Sequence, residues 1–184
     1  TYFKLMIVSG KKSLFLEFDN SSILIAVGEY DEELNFKIVS KKLINHTGIA
    51  NGKINNFENS VSILKKEINN IENDSSLFFE SANVIINLHD LDCINISGFK
   101  KLNGNQILVN DISYIINNIR SKIEESEKNK SLIHLFNTKF LLDGKLIKNL
   151  PIGLHGNFYS HQLTFFLTRS EYIKNISKLL NKCN

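Results

Sequence analysis

Apolar residues follow two rhythms along this chain. From Ser13 to Ile44 three runs are alternating or β-branched, Leu14–Phe18, Ile23–Val27 and Leu34–Ile44. That period of two predicts three consecutive antiparallel strands. Asp19-Asn20-Ser21-Ser22 is short and polar, as a tight turn requires, and the acidic stretch Glu29–Glu33 joins the second pair. Past a Gly-containing segment, His46–Lys53, the rhythm becomes helical. Asn55 stands at the cap with Glu58 three residues on, and Phe57, Val61, Leu64, Ile68 and Ile71 share one face. The run Val84-Ile85-Ile86-Asn87-Leu88 then predicts a strand buried on both faces. Residues 1–89 therefore read β-β-β-α-β.

The next stretch repeats neither the order nor the spacing. Ile94–Leu102 predicts a strand, and Asn110 starts a helix whose apolar face is Ile112, Ile115, Ile116, Ile119 and Ile123. A long strand, Leu132–Leu142, ends at an Asp143-Gly144 turn. A loop containing the only proline, Leu150–His161, leads to a last strand, Leu163–Leu167. Ser170 caps a final helix that buries Ile173, Ile176, Leu179 and Leu180. No repeat or low-complexity linker separates the parts, so the β-α-β-β unit reads as an insertion. The fold class is α/β (α+β): a β-β-β-α-β … α order, that of a partial ribonuclease-H-like or actin-like domain, interrupted by a small β-α-β-β module.

Composition narrows the functions. With 42% hydrophobic residues, 184 residues suffice for a real core. Asn and Ile are unusually common, so Gly and Pro are the firmer turn signals. The net charge of +3 comes from lysines spread along the chain with acids between them. Glu124, Glu125 and Glu127 beside Lys128 illustrate a solvated surface, and no nucleic-acid stripe is expected. No run approaches the roughly 20 apolar residues of a membrane-spanning helix. Thr1–Lys12 lacks the order of a signal peptide, and a cytoplasmic chain is expected.

Candidate chemistry is sparse. Cys93 and Cys183 are far apart, and both read as packing thiols, Cys93 on a core-like strand. His89 and Cys93 form one pair with no second pair at ligand spacing, so no metal site is expected. His89-Asp90-Leu91-Asp92 carries an imidazole and two carboxylates, but it falls at the junction of the two parts, where polar residues make a turn. Ser97-Gly98 and Ser160-His161 lack the strand-to-helix elbow and the orienting group of a nucleophile site. No catalytic residue is expected. The helix Ile112–Ile123 lacks the basic face of a membrane-surface helix and reads as a core helix.

Three segments carry a family resemblance. Phe15-Leu16-Glu17-Phe18-Asp19-Asn20-Ser21-Ser22-Ile23, continuing to Val27-Gly28-Glu29, resembles the first phosphate-binding hairpin of FtsA-type cell-division proteins. Asn45-His46-Thr47-Gly48-Ile49-Ala50-Asn51-Gly52-Lys53-Ile54-Asn55 resembles that family's Gly-containing loop ahead of the first helix. Pro151-Ile152-Gly153-Leu154-His155-Gly156 resembles its P-x-G-L-x-G segment. The resemblance implies a partial actin-like 1A subdomain at 1–89 plus 170–184, and an inserted SHS2-type 1C interaction subdomain at 90–169. Pilus-assembly proteins of the PilM type share this insertion.

The same resemblance implies a divisome adaptor or scaffold that self-associates head to tail and meets division proteins such as FtsZ and FtsN. It implies a place at the inner face of the cell membrane, reached through a segment these residues do not include. It also maps a phosphate hairpin onto Glu17, Asp19, Asn20, Ser21 and Ser22. Asp19 stands where the family has glycine, and a carboxylate about 4 Å from a phosphate charge opposes binding by roughly 4 kcal/mol at an effective dielectric near 20. The second phosphate loop is not among these residues. No cofactor is therefore expected, with ATP and magnesium entering only where a longer protein supplies the other half-site. Alternatives are an actin-like ATPase of which this is a fragment and a PilM-type scaffold. Partner contacts are expected on the long strand, at Leu135, Asn137, Lys139 and Leu141, and at the loop aromatics Phe158 and Tyr159, because a small sheet has pairing edges.

Overall fold

The computed structural model describes residues 10–19, 21–45, 48–50, 53–86 and 91–183, the side chain of Ile86 excepted. The chain divides into two compact units, Thr1–His89 with Lys174–Asn184, and Asp90–Ile173.

The first unit holds β1 (Ser13–Phe18), β2 (Ser22–Tyr30), β3 (Phe36–Asn45), the short pair β4 (Ile49–Ala50) and β5 (Lys53–Ile54), α1 (Phe57–Ser75) and β6 (Ala82–Ile86). Its four-stranded sheet runs β3-β2-β1-β6, with β6 parallel to β1 and the other pairs antiparallel. Register puts Leu14, Leu16 and Phe18 opposite Val27, Ile25 and Ile23. All six are buried, in a core completed by Leu64 and Ile71 of α1 and by Ile176 and Leu179 of α3 (Ser170–Cys183). Full burial of each such side chain contributes roughly 1.5–3 kcal/mol.

Several boundaries differ from the sequence expectation. The cap of α1 is Asn56, whose Oδ1 accepts the Asn59 N–H at 3.1 Å, one residue beyond Asn55. The helix ends where Ser76 turns left-handed (φ 51°) and the Leu77 N–H reaches the Glu72 carbonyl. Leu34 is not a strand residue; it sits in the β2–β3 turn with φ 65°. β6 is not buried on both faces, since Ile85 is half exposed, Asn83 is exposed, and Ala82 and Val84 are only half-buried. Asn87 and Leu88 of that expected strand lie outside the described residues, as do Asn20, His46, Thr47, Asn51, Gly52, His89 and Asp90. The buried side of α3 is Tyr172, Ile176, Leu179 and Cys183, with Ile173 and Leu180 only half-buried.

The second unit holds β7 (Asp92–Lys101), α2 (Val109–Ser126), β8 (Lys130–Leu142), β9 (Lys145–Ile147) and β10 (Phe158–Arg169), in sheet order β7-β10-β8-β9, all pairs antiparallel. β10 is the central strand and far longer than Leu163–Leu167, while β9 is too short to register as a sequence pattern. α2 lays Ile112, Ile115, Ile119 and Ile123 on the inner face, against Tyr159, Leu163, Phe165 and Leu167. Gly98 lets the helix approach, because a Cβ there would stand 2.5 Å from Ile115 Cγ2. α2 begins at Val109, not Asn110. Its entry is tied by Asp111, which accepts the Leu108 N–H at 3.0 Å and pairs with Lys100. Those contacts, the Lys100 bond first, hold the Asp111 carboxyl below the usual range.

Candidate functional site

Two places answer to the sequence expectations. At the first hairpin, the Asp19 N–H donates to the Ser22 carbonyl at 3.0 Å and closes the turn. That amide is spent within the turn and is not offered to a ligand. Glu17 and Asp19 are half-buried, Ser22 is buried and Ser21 is exposed. The described turn residues thus present carboxylates and hydroxyls without a basic side chain or a glycine. They do not fit a phosphate group, whose cradle needs free N–H donors and close backbone approach. Among the described residues no three His, Cys, Asp or Glu side chains gather as a metal site would require.

The second place is the face of the β7-β10-β8-β9 sheet turned away from α2. Register across the strands builds it row by row. Phe99 pairs with Ser160, Ser160 with Leu141, and Leu141 with Leu146. Phe158 stacks on Phe99 with ring centroids 5.5 Å apart. Next come Ser97, Gln162 and Lys139, then Asn95, Thr164 and Phe136, then Cys93, Phe166 and His134. Phe136 meets Phe166 edge-on at 5.7 Å. Phe99 is 66% exposed, Phe136 53% and Phe158 39%. The middle of the face is polar and internally bonded: the Thr164 hydroxyl donates to Asn95 Oδ1 at 2.5 Å and lies 2.6 Å from the Thr138 hydroxyl. No strand residue of this face is a carboxylate; its charges are Lys101 and Lys139.

A β-bulge redistributes the residues expected to bind partners. The pairing steps from Gln162↔Lys139 to Leu163↔Asn137, leaving Thr138 out of register. One extra residue reverses the alternation. Lys139 and Leu141 fall on the outer face, whereas Leu135 and Asn137 fall on the inner one, opposite buried Phe165 and Leu163. Asn137 faces His161 there, Oδ1 to Nε2 2.9 Å. Tyr159 is no loop anchor: it is a strand residue with no exposed surface. Phe158 does face outward. Phe99, Phe136 and Leu146, which the sequence expectation did not include, are exposed on this face as large apolar residues on the polar phase of their strands. Cys93, read as a core thiol, is exposed, whereas Cys183 is buried.

The edge expected on the long strand is open in part. β8 is covered by β9 only at Phe140–Leu142, so its earlier residues keep one open side among the described strands, and β7 is an edge throughout. The Pro151–Gly156 segment is structural. Gly153 has φ 83°, the Gly153 N–H reaches the Ile107 carbonyl, and a Cβ on Gly156 would sit 2.4 Å from Leu142 Cδ1.

Comparison with known proteins places this geometry. No family model matches the chain. Curated relatives named Cell division protein FtsA align along almost all of it. One from Buchnera aphidicola subsp. Schizaphis graminum (strain Sg) is 25% identical over 182 residues, 97% of this chain and 43% of the relative. One from Buchnera aphidicola subsp. Baizongia pistaciae (strain Bp) is 29% identical over 177 residues, 94% and 41%. The chain is similar to FtsA. It spans less than half the length of those FtsA relatives. A solved chain of a PilM-PilN type IV pilus biogenesis complex superposes with a TM-score of 0.56 at 10% identity, covering 94% of this chain and 45% of that one. The FtsA-like chain thus has a partial actin-like fold. No helix among its described residues is long and apolar enough to cross a membrane.

Proposed function

We propose that this chain serves cell division as a non-catalytic adaptor, working through protein-protein contacts of its second unit. Residues 1–89 with 170–184 act as the partial 1A subdomain and 90–169 as the inserted SHS2-type 1C module. The observation that carries this reading is the outer face of the second sheet, where Phe99, Phe136 and Phe158 stay exposed although Phe99 stacks on Phe158 and Phe136 meets Phe166. Rigid aromatic side chains on an open sheet are the anchors that protein interfaces favour. The partners are further copies and division proteins of the FtsZ and FtsN kind, at the inner face of the cell membrane.

Changing Phe99→Ser together with Phe136→Ser is expected to weaken capture of division proteins at least ~10-fold, about 1.4 kcal/mol. Circular dichroism is expected to stay unchanged, since both rings are more than half exposed. Capture at wild-type strength by the doubly changed chain contradicts the proposal. Nucleotide chemistry has no part in it: adding magnesium and ATP is expected to leave the melting temperature unmoved, and a saturable rise overturns that statement. A second reading, a pilus-type scaffold, draws on the likeness to the PilM chain. It predicts that the immobilised chain retains a PilN-type peptide and not division proteins.

A further inference from the structure

Among the described strands β3 is an open edge of the first sheet, and its sequence carries Lys37, Lys41 and Lys42 but no carboxylate. A β-bulge interrupts its pairing: the register steps from Val27↔Ser40 to Gly28↔Ile38 and leaves Val39 out. Residues 40–45 run in unbroken register with residues 22–27 of β2. That stretch presents a regular row of main-chain N–H and C=O groups on its far side. Between the bulge and the last turns of α1 lies a groove of about 510 Å³. Val27, Val39 and Ile71 give it an apolar lining, and Val39 is exposed there. Lys12, Lys41 and Lys42 border it, against one carboxylate, Asp74. Lys42 is bonded to Glu67 of α1, whereas Lys12 and Lys41 are in no ion pair among the described residues.

Lysines and bulges commonly guard an edge strand against pairing. A guard needs no cavity with an apolar floor, and here the bulged residue itself lines one. We infer that the β3 edge is a docking site for an extended acidic segment of another protein, which adds a strand beside residues 40–45. Its main-chain groups pair with the open edge, an apolar side chain enters the groove over Val27 and Ile71, and its carboxylates meet Lys12 and Lys41. Charge selects the occupant: the groove offers two unpaired ammonium groups, and a basic segment would be repelled by them. The site lies in the first unit and is independent of the outer face of the second sheet.

A fluorescent peptide of alternating valine and glutamate, titrated with the full chain, tests it by anisotropy. Saturable binding that weakens with added salt is expected, and none for the peptide with lysine in place of glutamate. Lys12→Glu with Lys41→Glu is expected to weaken binding about tenfold or more, as is N-methylation of alternate peptide amides, which removes main-chain donors. Bound peptide is expected to slow hydrogen exchange at residues 40–45 and to leave β7, an edge of the other sheet, unchanged. No binding of the acidic peptide overturns the proposal, as does equal binding of its N-methylated form or protection that falls on β7 instead. Vesicles containing phosphatidylserine serve as the other arm. Retention of the chain on them that is lost in Lys12→Glu with Lys41→Glu, without peptide binding, assigns these lysines to a membrane surface and also overturns it.

Discussion

Replacing Phe165 by alanine is expected to lower the stability of the second unit by about 3–5 kcal/mol, enough to unfold much of it near physiological temperature. Phe165 has no exposed surface and stands at the middle of β10, the strand that bonds both neighbours. It packs in the cluster formed with Leu163, Leu167 and the isoleucines of α2. The hole left by its ring cannot be refilled by β-branched neighbours fixed on a sheet and a helix. Leu16→Ala makes the matching change in the other core, where Leu16 is fully buried. Urea unfolding followed by hydrogen exchange is expected to expose amides of residues 92–169 first in Phe165→Ala and of residues 13–86 first in Leu16→Ala. Uniform loss of protection in both variants contradicts two separate cores.

Acid is expected to destabilise the second unit well above the range where carboxylates titrate. His161 is fully buried, its Nε2 donates to Asn137 Oδ1 and its Nδ1 has no hydrogen-bond partner among the described residues. Burial pulls its pKa down to about 4 from 6.5. Between those values the unfolded chain binds the proton and the folded chain does not, so stability is complete above about pH 6.5 and is lost as pH falls toward 4. The full effect is on the order of 2–3 kcal/mol. Asp111, held low by Lys100, contributes a further loss only below the ordinary carboxylate range. Thermal unfolding at pH 7 and pH 4.5 is expected to show a large drop for the wild type and a much smaller one for His161→Gln, which keeps a donor for Asn137 and does not titrate. Equal drops in both chains count against His161 as the cause.

The layered plan of the fold was legible because both cores are written in strict periods. Ile23, Ile25 and Val27 alternate along β2, and Ile112, Ile115, Ile119 and Ile123 follow the helical repeat. What escaped was everything a single residue decides. The bulge at Thr138 carries no signal in composition, yet it moves Leu135 and Asn137 to the inner face. Asn55 and Asn56 are equally good caps by type, and the backbone chose the second. Phe158 and Tyr159 read as a loop because glycines and the proline precede them, although β10 already runs through both. In the first hairpin, Asp19 in place of glycine was readable as an obstacle to phosphate, and the closed turn supplies a second one, the loss of its free N–H.

The outer face of the second sheet is expected to be where this chain meets other proteins. Fluorine NMR of the chain labelled at phenylalanine, titrated with unlabelled chain, reports that directly. The resonances of Phe99 and Phe158 are expected to shift and broaden as unlabelled chain is added, while that of Phe165, buried on the opposite face, stays fixed. Invariant Phe99 and Phe158 signals alongside a moving Phe78, an exposed ring of the first unit, contradict it.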